Sequence, residues 1–362
     1  MDEGIDEIKI DKKTIHAVAH DMAKSAKAAD LIYTPDNKPG FSRKNNGKAF
    51  SYFAGTKKIK DKITIDRIKK LRIPPAWEKV WICKIANGHL QATGFDLLQR
   101  KQYRYHSLWN TIRKHTKFYR LQEFGVLIPV IRKQIEKDLS LTGFPQEKIL
   151  AAVVSLLERT NIRVGNAFYE KLYGSFGLTT LKNRHVVING IQLRFSFKGK
   201  KGVKHNITLK SKTLSRIVKG CKDIPGKELF EFYDDNGNIH SIDSGMVNNY
   251  ISTITGGEFT AKDFRTWAGT VSALVAFNEL GSFETTTEMN QKIPAAFDMV
   301  AKQLGNTRTV CKNYYVHPVI VELYKENKLE KYLGELKVIE TADGQKELMP
   351  EEKVLLNILK HA

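Results

Sequence analysis

The chain has 362 residues and a formal net charge of +20 at pH 7, from 59 Lys and Arg against 39 Asp and Glu, with 41% hydrophobic residues. Such length and apolar content suit two or three domains with real cores, and the cation excess points to a polyanionic partner, nucleic acid above all. No run approaches the roughly 20 apolar residues of a membrane span, the acidic N-terminus carries no secretory apolar region, and Cys83, Cys221 and Cys311 are too far apart for a metal knuckle or disulfide framework, which fits a reducing, cytoplasmic setting.

Residues 11–32 read as an amphipathic helix, with Ile15, Val18, Ala19, Met22 and Ala26 on one face. The stretch 34–48, rich in Pro, Gly, Asn and Lys, reads as a loop. A short helix over 63–73 is stopped by Pro74 and Pro75. Two β-type runs, 80–85 and 89–96, flank a turn at Ala86, Asn87 and Gly88. The pattern turns helical from Ser107 to Glu158, becomes β around 186–210 with a Gly-Lys-Lys-Gly turn, and returns to helix over 245–304. A last helix opens at Pro350, with Glu351 and Glu352 at its positive end. The fold class is α+β: a small, mixed, β-rich N-terminal domain over 1–106, then a larger, mainly helical domain over 107–362 with a small β-sheet and hairpin.

The charge is uneven. From Lys171 to Lys222 there is no Asp or Glu, yet 13 Lys and Arg. Like charges repel, so an anionic partner is the natural counterpart, and phosphates supply it at one charge per about 1.7 Å of duplex axis. A second basic run, residues 100–106 (RKQYRYH), alternates Gln102, Arg104 and His106 with Tyr103 and Tyr105. Cations hold phosphates, an amide reads an adenine edge, and phenols stack or donate to phosphate. An exposed strand with one aromatic face gives the same alternation.

Four further segments carry groups suited to chemistry. Arg163 lies in IRVGN, where it could also form a helix-end ion pair with Glu158. Lys200 and Lys201 lie in FKGKKG, which reads as a hairpin tip, or simply a turn with solvated lysines. Arg265 lies in KDFRTWAGT, suited to a fixed guanidinium, or else a surface arginine beside Asp263. Asn306 lies in LGNT, nine residues before the second of the pair Tyr314 and Tyr315 in NYYVHP.

In this order, RKQYRYH, IRVGN, GLTTLKNRHV, FKGKKGVKH, KDFRTWAGT, LGNT and YVHP resemble the type IB DNA topoisomerases of the bacterial and poxvirus-like kind, over about residues 70 to 320. Each motif alone is weak; the ordered set is specific. The resemblance implies that Arg163 and Arg265 grip the scissile phosphate, Lys200 is the hairpin general acid and Tyr315 the nucleophile. Asn306 stands where poxvirus-type enzymes carry a His, which keeps hydrogen bonding but removes a titratable donor. Gln102, Tyr103 and Tyr105 match N-domain residues that contact double-stranded DNA in the major groove. Tyr169 matches a tyrosine at the DNA backbone, and Lys201 is a further DNA contact.

The implied reaction forms a 3′-phosphotyrosyl ester, lets the free strand rotate, and religates without ATP, which agrees with the missing P-loop. No metal is required, with Mg²⁺ at most stimulatory. The implied state is a monomer clamped around duplex DNA, associated with the nucleoid. The nearest rival is a tyrosine recombinase or integrase. Its second arginine usually sits in a His-x-x-Arg box, whereas Lys262 and Arg265 frame this one. A non-catalytic basic DNA-binding protein is the other rival.

Overall fold

The computed structural model describes residues 21–334 and 343–361, apart from 48, 235 and 258. The chain divides into two compact units, one up to Arg120 and one from Leu121 onward. The expected helix over 11–32 appears as α1 (Met22–Ala28), capped by the Asp21 carboxylate on the amides of Ala23 and Lys24; residues 11–20 lie outside the described residues.

The first unit is built on an antiparallel sheet of β1 (Phe41–Asn45), β2 (Phe50–Ala54), β3 (Lys57–Lys58), β4 (Glu78–Ile82), β5 (Leu90–Phe95) and β6 (Lys101–Tyr105), in the order β3-β2-β1-β4-β5-β6. Strand β1 corrects the loop expected over 34–48. Its Arg43 lies over the Phe50 ring at 4.2 Å and donates to the carbonyls of Ile73, Pro74 and Trp77. A cation that reads as loop chemistry is therefore satisfied by distant backbone. Helix α2 (Lys62–Lys70) lays Ile68 on Val80, Ile82 and Ala92 of the sheet. Trp109 and Ile112, in the first turns of α3 (Ser107–Leu139), pack with Ala26, Ala29 and Leu31.

Within the stretch expected as helical from Ser107 to Glu158, residues 107–139 form one continuous helix that runs through Pro129. Proline removes the amide that would bond the carbonyl four residues back, at Gly125. Gly125 also makes room for Trp267: a methyl there would stand 2.4 Å from the indole.

In the second unit, α4 (Gln146–Thr160) is apolar nearly all round and is buried from Lys148 to Leu157, the central rod of the core. Helix α5 (Ala167–Tyr173) follows and is exposed. The sheet β7 (Val186–Asn189), β8 (Gln192–Lys198), β9 (Lys204–Lys210) buries Leu193, Phe195 and Phe197 through strict alternation on β8. Complete burial of a side chain such as Phe195 is worth about 1.5–3 kcal/mol. Helix α6 (Lys212–Asp223) covers the core with Leu214, Ile217, Val218 and Cys221.

The stretch expected as helix over 245–304 comprises α7 (Ser244–Thr255), α8 (Ala261–Leu280) and α9 (Thr286–Leu304). Two short helices, α10 (Arg308–Tyr314) and α11 (Pro318–Lys325), come next, then a single turn, α12 (Glu330–Leu333). The last helix, α13 (Pro350–His361), is a full member of the core through Val354, Leu355, Ile358 and Leu359. Its Glu352 accepts from Arg132 on α3 and from the indole N–H of Trp267 on α8. The architecture is thus α+β, a β-rich first unit and a mainly helical second one.

Candidate active site

Helix α4 ends at Asn161 in the left-handed conformation (φ 56°), a conformation Asn tolerates well. The chain then runs extended through Arg163 and Val164, whose carbonyls accept from Leu178 and Thr179 at 2.9 and 2.7 Å. Gly165 and Gly177 touch backbone to backbone: a methyl on Gly177 would stand 2.5 Å from Gly165 Cα. The IRVGN and GLTT segments therefore brace each other and fix the base of Arg163.

Arg265 lies in the first turns of α8, opened by a capping box in which the Thr260 amide donates to Asp263 at 2.8 Å. Asp263 is thus occupied by the cap, and Arg265 is not a surface residue: it is 4% exposed. Its Nη1 donates to the Asn161 carbonyl and its Nη2 to the Leu304 carbonyl, the latter at 2.9 Å. Arg163 Nη2 donates to the Gly305 carbonyl at 3.2 Å and to Asn306 Oδ1. The Arg163–Glu158 ion pair is not formed, because Glu158 takes Nε of Arg132 at 2.8 Å.

Helix α9 delivers Asn306 through Gly305 (φ 58°), whose left-handed turn lets the Asn306 amide reach back to the Ala301 carbonyl. Tyr315 caps α10, half-buried, with the Arg265 guanidinium 5.2 Å from its ring centroid. Its neighbour Tyr314 points to solvent, 52% exposed.

The structure therefore brings Arg163, Arg265, Asn306 and Tyr315 into one site. Among the described residues neither arginine meets a carboxylate; their partners are neutral carbonyls and one amide. Burial and then the charge of Arg265 push the Arg163 guanidinium down to about 10, still protonated at neutral pH. Among the described residues, two donors of the site, Arg265 Nε and Asn306 Nδ2, are buried without a hydrogen-bond partner. Buried unpaired donors are costly, and these two, one on the Arg265 guanidinium itself and one on the amide that Arg163 holds, are an arrangement an anion would satisfy.

Lys200 and Lys201 sit at the β8–β9 tip, both exposed, Lys201 with φ 60°. Tyr169 is on α5, 40% exposed, its ring stacked on Tyr173. In the first unit, Tyr103 and Tyr105 stack at 5.9 Å on edge strand β6, while Gln102 Nε2 donates to Asp96 at 2.9 Å. One of the 13 cations of the acid-free stretch, Lys182, finds carboxylates just outside it, Glu170 at 2.7 Å and Glu228 at 2.6 Å.

Sequence reasoning missed three residues. Gly269 lets α8 approach the nucleophile candidate: a methyl there would stand 2.8 Å from the Tyr315 carbonyl oxygen. Thr270 Oγ1, within donating reach of the Thr266 carbonyl at 2.9 Å and of that same Tyr315 carbonyl at 3.2 Å, accepts from the His317 amide at 3.2 Å. Both lie in the WAGT end of the Arg265 motif, one to two turns beyond the arginine, which was the available signal. The third, His205, is an inward position of β9 and the last residue of the FKGKKGVKH motif, which was the available signal.

A family model described as the catalytic core of eukaryotic DNA topoisomerase I matches residues 106–341, and one described as the N-terminal domain of bacterial DNA topoisomerase IB matches residues 49–96. The chain belongs to the type IB DNA topoisomerases. It is 32% identical over 297 residues to the DNA topoisomerase 1B of Acanthamoeba polyphaga mimivirus, covering 80% of this chain and 88% of that one. It is 25% identical over 258 residues to the DNA topoisomerase 1B of Vaccinia virus (strain Copenhagen), covering 69% and 76%. As a type IB topoisomerase it is an isomerase, and the four-residue site lies within the span matched by the catalytic-core model.

Proposed function

We propose that this topoisomerase relaxes supercoiled double-stranded DNA through a phosphotyrosyl intermediate at Tyr315. The observation that carries the reading is a pair of guanidiniums beside a tyrosine, Arg265 buried and Arg163 half-buried, which among the described residues meet no carboxylate, with two donors left unpaired. Tyr315 Oη attacks phosphorus as its proton passes to water. The bond from phosphorus to O5′ breaks, leaving a 3′-phosphotyrosyl ester and a 5′-hydroxyl strand. Charge that builds on the non-bridging oxygens meets Arg163 and Arg265, already oriented by the carbonyls they hold, and the Asn306 amide, oriented by Arg163. Lys200 protonates the departing O5′. Rotation of the free strand releases torsion, and the reverse steps reseal it. One phosphodiester replaces another, so neither ATP nor a metal is needed, with Mg²⁺ at most hastening product release.

Gln102, Tyr103 and Tyr105 approach the major groove, with Gln102 first leaving Asp96, while Tyr169 and Lys201 meet the backbone. The chain acts as a monomeric clamp. The test is incubation of a supercoiled plasmid with substoichiometric protein in EDTA without ATP. Multiple-turnover relaxation is expected; an unchanged supercoiled band, or activity only with ATP or Mg²⁺, overturns the reading.

A further inference from the structure

The proposed proton donor stands on a hairpin tip, and something must hold that tip over the site. In β8 and β9, Phe197 lies directly opposite His205, and the rings stack at 5.0 Å and 19°. Two glycines from separate elements close on the edges of the imidazole. A methyl on Gly199, at the hairpin tip, would stand 2.7 Å from His205 Cδ2 and Nε2. A methyl on Gly305, in the turn that delivers Asn306, would stand 2.5 Å from His205 Cε1. The ring is therefore a flat wedge, with the residue before Lys200 on one edge and the residue before Asn306 on the other. Gly305 also supplies the carbonyl that holds Arg163. The tip is closed on itself as well, with the Gly199 amide bonded to the Val203 carbonyl at 2.7 Å and the Gly202 amide to the Gly199 carbonyl at 3.1 Å. Whatever seats Gly199 thus sets the origin of the Lys200 side chain one residue on. Burial, then the charges of Arg163 and Arg265, push His205 below its ordinary value. The wedge is accordingly neutral and adds no third cation behind the arginines.

We propose that His205 is a positioning residue, whose ring seats the Lys200 hairpin on the Gly305–Asn306 turn and so sets the reach of the ammonium to the leaving oxygen. This rests on Lys200 being the proton donor. A role in positioning the donor matters only while the leaving group needs a proton. A thiolate, with an ordinary pKa of about 8.5, leaves without one. The experiment measures single-turnover cleavage of two suicide duplexes at a site mapped with the unaltered protein. One carries oxygen and the other sulfur as the 5′ bridging atom. His205→Ala should slow cleavage of the oxygen duplex by about 10²-fold, the usual cost of misplacing a catalytic group by about an ångström, and should cut the sulfur duplex at nearly the unaltered rate. His205→Phe, which keeps a flat ring on Phe197, should cut both duplexes at close to the unaltered rate. Gly199→Ala pushes the wedge from its other edge and should reproduce the oxygen-specific loss, so the inference does not hang on one variant folding. Equal losses on both duplexes in His205→Ala and Gly199→Ala, or no loss on either, overturn it. Lys200→Ala is the separate control: failure of sulfur to restore its cleavage removes Lys200 as donor, whereas restoration there without restoration in the His205 and Gly199 variants removes His205 alone.

Discussion

Replacing Arg265 by Lys keeps the charge and tests the geometry. In the resting site the guanidinium holds two carbonyls, the half-buried one of Asn161 and the buried one of Leu304, and among the described residues its Nε has no partner and is open to an incoming anion. An ammonium has three donors on one atom and cannot serve two divergent carbonyls and a phosphate oxygen together. The variant must drop a transition-state donor, which costs about 3–4 kcal/mol, or about 10²–10³ in rate. It also leaves a carbonyl short of a donor, a stability cost of about 1–3 kcal/mol. Single-turnover cleavage of a suicide duplex reads the first term, and thermal melting reads the second. Equilibrium affinity for uncut duplex should hardly change, because many phosphate contacts share it. An Arg265→Lys protein that cleaves within a factor of a few of the unaltered rate would refute the argument that paired, fixed donors carry the step.

Glu352 ties α13 to Arg132 and to Trp267, two residues from Arg265, so Glu352→Ala should cost about 3–5 kcal/mol in urea unfolding; a loss below about 1 kcal/mol contradicts the bracing role. Gly269→Ala places a methyl 2.8 Å from the Tyr315 carbonyl oxygen and should slow cleavage about 10²-fold at unchanged DNA affinity; an unaffected rate would mean that the Tyr315 backbone has slack. His89, His106, His185 and His205 are all pushed below their ordinary value of 6.5, by burial first. The native state thus resists protonation that the unfolded chain accepts, and their contribution is lost as pH falls below about 6.5. Glu158, Glu228 and Glu351, raised by burial, act in the opposite sense. The clean readout is the melting temperature of the unaltered protein minus that of His205→Phe, which should shrink from about pH 7.5 to about pH 5.5; a constant difference contradicts a neutral His205.

How much of this was legible in the sequence depended on the range of the interactions. The alternation Leu193, Phe195, Phe197 announced β8, and the ordered motifs brought forward Arg163, Arg265, Asn306 and Tyr315, which the fold gathers. Strand β1 was hidden because its Arg43 is satisfied by carbonyls about thirty residues away, so a polar, turn-like composition conceals a paired strand. Glu158 lay five residues from Arg163, but Arg132 lies across the helix interface and reaches it first. His205 closes the FKGKKGVKH motif, but its role comes from Gly199 and Gly305, one on its own hairpin and one a hundred residues on.

The measurement that bears most directly on the account is the identity of the side chain joined to DNA. A suicide duplex labelled at the 5′ end of the cleaved strand, incubated with the protein in EDTA, denatured and digested, should yield one labelled peptide with the phosphate on Tyr315, and Tyr315→Phe should yield none. Label on Tyr314 or on any other side chain, or an undiminished adduct in Tyr315→Phe, would contradict it.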